Sequence, residues 1–312
     1  MKKIILIVIM SLMMLLVPGC GNSDEEVDIY ASIYPVYFIT QEIVQEKLNV
    51  KQVYPTGADV HEYDPANGQE MVKMSRAKIM FYIGGGLESF IEKSHNVFDK
   101  SDIKLVELSD YVKLCKPSVK GYDYLTMEEL ENSVHIADTH IWLDPLRMVT
   151  MAEIILENVI AVDPENTQFY KDNANALIQR LRELDNQYLE ALSNEELNKI
   201  ILVDHDSYLY WEERYGLKRI RTRIDNESCD SSMSTINNVI EQARENNIKY
   251  IVVTENEIMC NIVNKYKDVL DAKIIELNHL STLYKEDINK GDDYFTIMRR
   301  NLNTLVSILP KY

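Results

Sequence analysis

Short β-rich runs alternate with stretches of helical periodicity along this chain of 312 residues, and no other feature constrains the fold as strongly. The extended runs lie at 27–33, 51–54, 78–83, 102–107, 199–204, 217–220, 248–253 and 272–277. Helical stretches such as 38–47 and 87–93 separate them. Strands that alternate with helices predict parallel pairing, with helices on the faces of the sheet. The sequence therefore predicts an α/β fold with two lobes, each built on a parallel sheet.

A long helix is predicted between the two lobes. Asp144-Pro145 and Asp163-Pro164 each place a capping residue before a proline, which is typical of a helix start. After the second pair no glycine or proline occurs as far as Ser193, and leucines recur at helical spacing. We interpret this segment as one rigid linking helix; the alternative is a packed helix within one domain. The predicted parts are a signal at 1–19, a tether at 20–26, an N-terminal lobe at 27–163, the linking helix at 164–195 and a C-terminal lobe at 196–312.

The first twenty residues indicate export. Lys2 and Lys3 precede an apolar run at 4–17, which is short for a membrane span and typical of a signal peptide. The run ends at Cys20 in the segment L-V-P-G-C, which resembles a bacterial lipobox. We therefore expect a protein anchored by lipid on Cys20, at the outer face of the bacterial cytoplasmic membrane or on its periplasmic side. The alternative is an ordinary secretory signal with an incidental cysteine.

Composition narrows the classes of partner. Apolar residues make up 46% of the chain, enough to fill a core, so global disorder is excluded. The formal charge is −17, and loss of the signal with its two lysines leaves 31 basic against 50 acidic residues, a charge of −19. Such acidity argues against nucleic acid and anionic lipid surfaces, because phosphates repel it; it fits cationic partners, and solubility alone is the alternative explanation.

Three further cysteines occur, Cys115, Cys229 and Cys260. Export permits disulfides, and Cys229 and Cys260 lie in the same half and could pair, which would leave Cys115 over. Spacing does not decide between this pairing and three free thiols. No CxxC motif occurs, so a thiolate metal site is not indicated.

Three of the six histidines lie where an α/β protein binds ligands. His61 follows the second predicted strand, His140 precedes the capped helix, and His205 ends the strand at 199–204. Ligands bind outside the carboxyl ends of parallel strands, so these three could face one cleft. Singly, each could be a structural histidine; together they indicate a metal such as Zn²⁺, which imidazole nitrogen suits. The acids that could orient the rings are Glu62, Asp138, Asp204 and Asp206.

At these residues the chain resembles a known family, the zinc- and manganese-binding solute-binding lipoproteins of ABC importers, called cluster A-I. The segments G-A-D-V-H-E-Y-D-P at 57–65 and H-I-W-L-D-P at 140–145 carry much of the resemblance. Further matching segments lie at 77–91, 163–173, 205–217 and 294–309. Each segment alone is modestly specific, but their order covers nearly all of the chain after the signal.

The resemblance implies that His61, His140 and His205 are metal ligands in a cleft between two lobes joined by a rigid helix. In this family, histidine at the third position goes with zinc and glutamate with manganese, so His205 favours Zn²⁺ over Mn²⁺. It also implies a monomeric carrier that is not an enzyme and that delivers its metal to a cognate ABC permease.

The fourth ligand is where the sequence departs from the family. The family supplies an aspartate or glutamate after the last strand, but Asn278 and Ser281 stand at the acidic positions here and His279 replaces a proline. His279 could bind, water could complete a three-histidine site, or Glu276 could reach in. Strand alternation points Glu276 opposite to its neighbour on the strand. We expect Glu255, with Asp204 and Asp206, to lie near the site without binding the metal.

Other functions compete with the zinc carrier. A manganese carrier of the same family is the nearest alternative. A zinc-dependent hydrolase would also use three histidines and a water, but no HExxH motif and no general base accompany them. An adhesin role at the cell surface, known for some relatives, is neither supported nor excluded by these residues.

Overall fold

Two four-stranded parallel sheets form the framework of the protein. The structure, a computed structural model, describes residues 26–60, 63–65, 68–115, 137–192, 200–203, 207–221, 233–255 and 261–309. The first sheet has the order β2-β1-β3-β4 and the second the order β6-β5-β7-β8. The strands are β1 Ile29–Ala31, β2 Val50–Gln52, β3 Ile79–Tyr82, β4 Lys104–Glu107, β5 Ile200–Val203, β6 Lys218–Arg221, β7 Tyr250–Thr254 and β8 Lys273–Leu277. The predicted α/β class and the parallel pairing are confirmed.

Helices cover the sheets and connect their strands. In the described residues they are α1 Tyr34–Val44, α2 Gly68–Met74, α3 Ser89–Lys93, α4 His95–Phe98, α5 Pro145–Val162, α6 Thr167–Leu192, α7 Leu209–Tyr215, α8 Met233–Glu245, α9 Asn261–Leu270, α10 Lys285–Lys290 and α11 Tyr294–Ile308. Helix α1 begins earlier than the predicted residue 38, since Pro35 fits the first turn, where its missing N–H costs no hydrogen bond. It ends at Val44 because Gln45 takes a positive φ of 48°.

The long helix is present as α6. The two Asp-Pro pairs that precede α5 and α6 behave differently. The Asp144 carboxylate accepts the Leu146 backbone N–H and caps α5 as predicted. The Asp163 carboxylate makes no such bond, because Asn166 and the Tyr170 hydroxyl donate to it instead. A 3-10 turn, Pro164–Asn166, therefore precedes α6. The buried side of α6 carries the predicted apolar residues Leu177, Leu181, Leu184, Tyr188 and Leu192.

Two hydrophobic clusters fill the described part of the chain. The larger one extends from β1 through α5 and α6 to α7 and α11. The smaller one is formed by side chains of α8, β7 and α9, including Ile251 and Tyr266. Leu277 and Leu280, at the end of β8, belong to the larger cluster although they come late in the sequence. The segments beside the proposed ligands thus share one core, while the lobe boundaries at 163 and 196 stay a prediction.

Of the helices in the described ranges, none combines the length and the apolar character that crossing a bilayer requires.

Candidate metal site

Two of the four candidate histidines lie in the described residues, His140 and His279. His61 and His205 lie outside them, as do the neighbouring acids Glu62, Asp204 and Asp206 and the cysteines Cys20, Cys229 and Cys260. Within the described part, no group of three or more histidine, cysteine, aspartate or glutamate side chains could hold a metal ion. His140 and His279 are therefore the two candidate ligands whose surroundings the structure describes.

Asp138 orients the ring of His140. One carboxylate oxygen of Asp138, Oδ1, accepts the backbone N–H of His140 at 2.8 Å and its ring Nδ1–H at 2.8 Å. The imidazole is 4% exposed and also packs against Trp142, with ring centroids 5.1 Å apart. With the ionised Asp138 carboxylate as its partner, Nδ1 is the nitrogen that carries the proton, so the lone pair of the neutral ring is on Nε2. A carboxylate that fixes the tautomer in this way is a common partner of a zinc-binding histidine.

Asp138 is itself held firmly. Burial raises the pKa of its carboxyl to about 7, while the backbone N–H of His140 and the nearby Arg219 and Arg221 act in the opposite direction. The hydroxyl of Tyr210 donates to the backbone carbonyl of Asp138. The backbone N–H of Asp138 donates to the carbonyl of Cys115 at 2.9 Å. The backbone N–H and the backbone carbonyl of Asp138 are thus both hydrogen-bonded, and these bonds fix the loop that carries His140.

The 3-10 turn Ile141–Leu143, directly after His140, is held by three long-range hydrogen bonds. Trp142 Nε1 donates to the backbone carbonyl of His279 at 2.7 Å. The Tyr294 hydroxyl donates to the Trp142 carbonyl at 2.7 Å, and Trp211 Nε1 donates to the Leu143 carbonyl at 2.8 Å. Sequence reasoning missed these contacts, because aromatic residues in an apolar pattern show only that they are buried.

The loop from Asn278 to Tyr284, which we call the His279 loop, lies against segments of the N-terminal half. The carbonyl of Ser281 accepts the backbone N–H of Tyr34 at 3.2 Å. The hydroxyl of Thr282 accepts the backbone N–H of Gly57 at 2.8 Å, four residues before His61. The His279 loop therefore contacts the segment that precedes His61, and the bond from Trp142 links it to the segment that follows His140.

The ring of His279 lies beside that of His140. It is 7% exposed, and the two ring centroids are 6.3 Å apart at an interplanar angle of 68°. Its Nδ1 accepts the backbone N–H of Ser281 at 3.2 Å. The structure thus brings together one predicted ligand and one residue that the sequence left uncertain.

Asn278 stands at a position where the family has an acid, and its polar groups are hydrogen-bonded to other residues of the protein. Its backbone N–H and carbonyl both bond to the Asn301 side chain, at 3.0 and 2.6 Å. Its Oδ1 accepts the Leu280 N–H at 2.8 Å, and its Nδ2 donates to Glu255 Oε2 at 3.0 Å. Glu255 thus bonds to the residue that precedes His279, and its place beside a metal stays a prediction.

The side chains of Glu276 and of its neighbour Leu277 point to opposite faces of β8. Its side chain is exposed, whereas that of Leu277 is buried. This alternation agrees with the direction that the strand pattern predicts for Glu276.

Several relatives and solved structures that are similar to this chain have names that describe zinc binding or zinc uptake. The zinc-binding lipoprotein AdcA of Streptococcus pneumoniae is 29% identical over 311 residues, which are 98% of this chain and 60% of that protein. This chain therefore spans about 60% of the length of that relative. The high-affinity zinc uptake system protein ZnuA of Bacillus subtilis is 25% identical over 300 residues, 93% of each chain.

The fold and the family both follow from the comparisons. The crystal structure of the Zn(II)-bound ZnuA-like domain of Streptococcus pneumoniae AdcA has a TM-score of 0.73 at 26% identity, covering 91% of this chain and 98% of that domain. This similarity agrees with the predicted arrangement of parallel sheets and a long helix. A family model, described as ZnuA, zinc-uptake complex component A, periplasmic, matches residues 29–308. The chain belongs to the ZnuA family of zinc-uptake components, as its resemblance to metal-binding lipoproteins of ABC importers predicts.

Proposed function

We propose that this protein captures Zn²⁺ outside the cytoplasm and delivers it to an ABC importer. The observation that carries the proposal is the hydrogen bond from His140 Nδ1 to Asp138, which leaves Nε2 as the nitrogen that can bind a cation. The names of the similar proteins, a zinc-binding lipoprotein and a zinc uptake protein, support zinc as the cargo. Because the family is one of uptake components, the hydrolase alternative is set aside.

The proposed ligands are His61, His140 and His205, in a cleft between two lobes. Three neutral nitrogen donors suit Zn²⁺ better than Mn²⁺, which prefers oxygen. The protein's own charge of −19 after loss of the signal would attract the cation, but screening limits this attraction to about 8 Å at physiological salt. Selection of the metal therefore depends on the ligands and not on the net charge.

The proposed setting is the outer face of the cytoplasmic membrane. The family description places its members in the periplasm, which supports a location outside the cytoplasm. Lipid attachment at Cys20, a monomeric state and a cognate ABC permease as partner are the finer parts of the proposal. Mass spectrometry of the exported protein would show the lipid on Cys20, and loss of membrane association in Cys20→Ala would support it.

Metal competition tests the proposal. We would measure Zn²⁺ and Mn²⁺ affinity of the exported, detergent-solubilised protein against a chelator, together with His140→Ala and His95→Ala. His95 is an exposed histidine whose Nδ1 contacts the Glu92 carbonyl, so its variant is the matched control. We expect Zn²⁺ to bind far more tightly than Mn²⁺, and only His140→Ala to lose that affinity. Tight Mn²⁺ with weak Zn²⁺ would favour the manganese carrier instead.

A further inference from the structure

Three consecutive glycines follow β3, and each of them has a positive φ. The φ values of Gly84, Gly85 and Gly86 are +85°, +61° and +89°. We call these residues, 84–86, the glycine turn. Residues with a side chain rarely adopt the left-handed region, so glycine is the residue type that forms such a turn without strain. The turn lies at the carboxyl end of a strand, the edge at which parallel sheets bind ligands, although no proposed ligand comes from it.

Two carboxylates of the protein itself hold the glycine turn. The buried side chain of Glu88 accepts the backbone N–H groups of Ile83 and Gly84, both at 2.9 Å. Glu107 Oε1 accepts the Gly85 N–H at 2.9 Å. A Cβ atom added at Gly84 would lie only 2.1 Å from the same oxygen of Glu107, so the carboxylate packs directly on the backbone. These three N–H groups are therefore bonded to the protein's own acids, and the bonds fix the backbone of the turn.

Gly85 lies against Thr139, the residue between Asp138 and His140. A Cβ atom built at Gly85 would be 3.0 Å from Thr139 Cγ2 and 3.8 Å from Leu114 Cδ1. Two carbon atoms in good contact are about 3.5–4.0 Å apart, so an added Cβ would displace Thr139 by about 0.5 Å. Because two carboxylates fix the glycine turn, the loop that carries Thr139 would be the part that moves. The absence of a side chain at Gly85 thus lets this loop approach the turn closely.

A displacement of Thr139 would reach the imidazole of His140. Asp138 Oδ1 accepts both the backbone N–H and the ring Nδ1–H of His140, each at 2.8 Å. The orientation of the ring therefore depends on the backbone on either side of Thr139. The Thr139 carbonyl also accepts the backbone N–H of Ile141 at 2.8 Å, so the following turn would be affected as well. Binding groups need to be held within about 0.5 Å of their working geometry, which is the size of the expected displacement.

We propose that Gly85 is a positioning residue for His140, and that the glycine turn supports the loop 138–140 through its contact with Thr139. The role of His140 in binding the cation belongs to the proposed function, so the inference rests on it. The turn suits this purpose in two ways, because its missing side chains allow a close approach and its two carboxylates make it rigid. A rigid support orders the imidazole before the cation arrives, so binding does not have to supply that order.

Proton exchange of the metal-free, full exported protein tests the support without zinc. The Nδ1–H of His140 is buried and bonded to Asp138, and NMR reads how fast it exchanges with solvent. We expect about 10-fold faster exchange in Gly85→Ala, where the new Cβ displaces the loop, and in Thr139→Ser, where the methyl group of the contact is lost. In the double variant the new methyl group takes the place of the lost one, and exchange should return to within about 3-fold of the unaltered protein.

The double variant decides between contact and strain. Exchange in the double variant that equals the faster of the two single variants would overturn the proposal. Should Gly85→Ala not fold, Thr139→Ser alone still decides, because it alters no glycine. An unchanged exchange rate of the His140 Nδ1–H in Thr139→Ser would then overturn the support through this contact.

Zinc affinity is the second measurement, with a control that has the same backbone strain. Gly291 has a φ of +72° and no atom within 4 Å of an added Cβ, so Gly291→Ala introduces strain but no contact. We expect the zinc Kd to rise about 10-fold in Gly85→Ala, as for other residues that orient a ligand, and to stay within about 3-fold in Gly291→Ala. Equal losses in the two variants would overturn the proposal. Failure of the unaltered protein to bind zinc would be a failure of the proposed function, and the exchange rates would still report on Gly85.

Discussion

Trp142 Nε1 donates a hydrogen bond of 2.7 Å to the backbone carbonyl of His279, and this bond joins residues that are 137 positions apart in the sequence. It ties the turn that follows His140 to the His279 loop. Trp142→Phe keeps most of the packing and removes the donor. The buried carbonyl would then lack a partner, which costs about 1–3 kcal/mol of unfolding free energy.

We expect Trp142→Phe to weaken zinc binding as well as stability, because the His279 loop loses its link to His140. The matched control is Tyr188→Phe, which removes a buried hydroxyl that donates to the Met298 carbonyl at 2.7 Å, a bond that does not involve the His279 loop. Both variants should unfold at lower denaturant concentration, but only Trp142→Phe should change the zinc Kd. Equal affinities in the two variants would show that the bond serves stability alone.

Asp138→Asn tests the orientation of His140. The amide oxygen can still accept the ring Nδ1–H, but without the negative charge that makes the imidazole a stronger donor to a metal. We expect about a 10-fold weaker zinc affinity, in the range measured for outer-shell partners of metal ligands. Asp163→Asn, which changes a carboxylate bonded to Asn166 and Tyr170, is the control and should bind zinc like the unaltered protein. An unchanged zinc Kd in Asp138→Asn would show that Asp138 does not contribute to zinc binding.

Asn278→Asp restores an acid where the family has one, but the structure predicts a cost. The new carboxylate would face Glu255 Oε2, which now accepts the Asn278 amide at 3.0 Å. We expect a loss of about 1–3 kcal/mol in unfolding free energy, from the lost hydrogen bond and the added like charge. Glu255→Gln in the same chain should recover most of it, measured as a double-mutant cycle of denaturant unfolding. A stable Asn278→Asp variant without that second change would contradict this view of the pair.

Glu88 gives the stability a pH dependence. Its fully buried carboxylate accepts the backbone N–H groups of Ile83 and Gly84, both at 2.9 Å, and burial raises its pKa. The folded protein therefore holds this proton at a pH where the unfolded chain has lost it. Between about 4.3, the value of an unperturbed glutamate, and the raised pKa, this group makes stability fall as pH rises.

In Glu88→Gln that contribution is absent. As pH falls from 7 toward about 4.3, the unaltered protein should gain unfolding free energy relative to the variant, which urea unfolding at each pH would measure. Glu107→Gln is the control at the same turn, since Glu107 accepts the Gly85 N–H but is partly exposed. A constant difference between Glu88→Gln and the unaltered protein across this range would contradict the prediction.

Cys115 should resist alkylation in the folded protein. Its thiol is free and buried, and donates to Glu213 Oε2 at 2.8 Å. Burial, helped by Glu213 and opposed by Arg147, raises the pKa of Cys115 to about 12, so little of the reactive thiolate forms at pH 8. Mass spectrometry after iodoacetamide should find Cys115 modified only when denaturant is present. The same spectra would show whether Cys229 and Cys260 are paired.

Local patterns of residues are enough to predict the class of fold and the outline of the long helix. Alternating runs predict two parallel sheets, and the stripe from Leu177 to Tyr188 predicts a buried face, because both are periodic properties of neighbouring residues. Even so, the two Asp-Pro pairs, which look alike in the sequence, form different local structures. Asp144 caps its helix, whereas Asp163 is taken by Asn166 and Tyr170.

The hydrogen bonding of the candidate site depends on contacts between segments that are distant in the chain. Nothing near His279 in the sequence shows that its Nδ1 accepts a hydrogen bond from the Ser281 backbone N–H, or that Trp142 donates to its carbonyl. Nor does the sequence show that Asn278 is bonded to Asn301 and Glu255. Periodicity reports which face of an element is buried, since burial follows from local geometry. The proton position and the bonding of a loop residue depend on the groups that other loops bring to it, and those groups are distant in the chain.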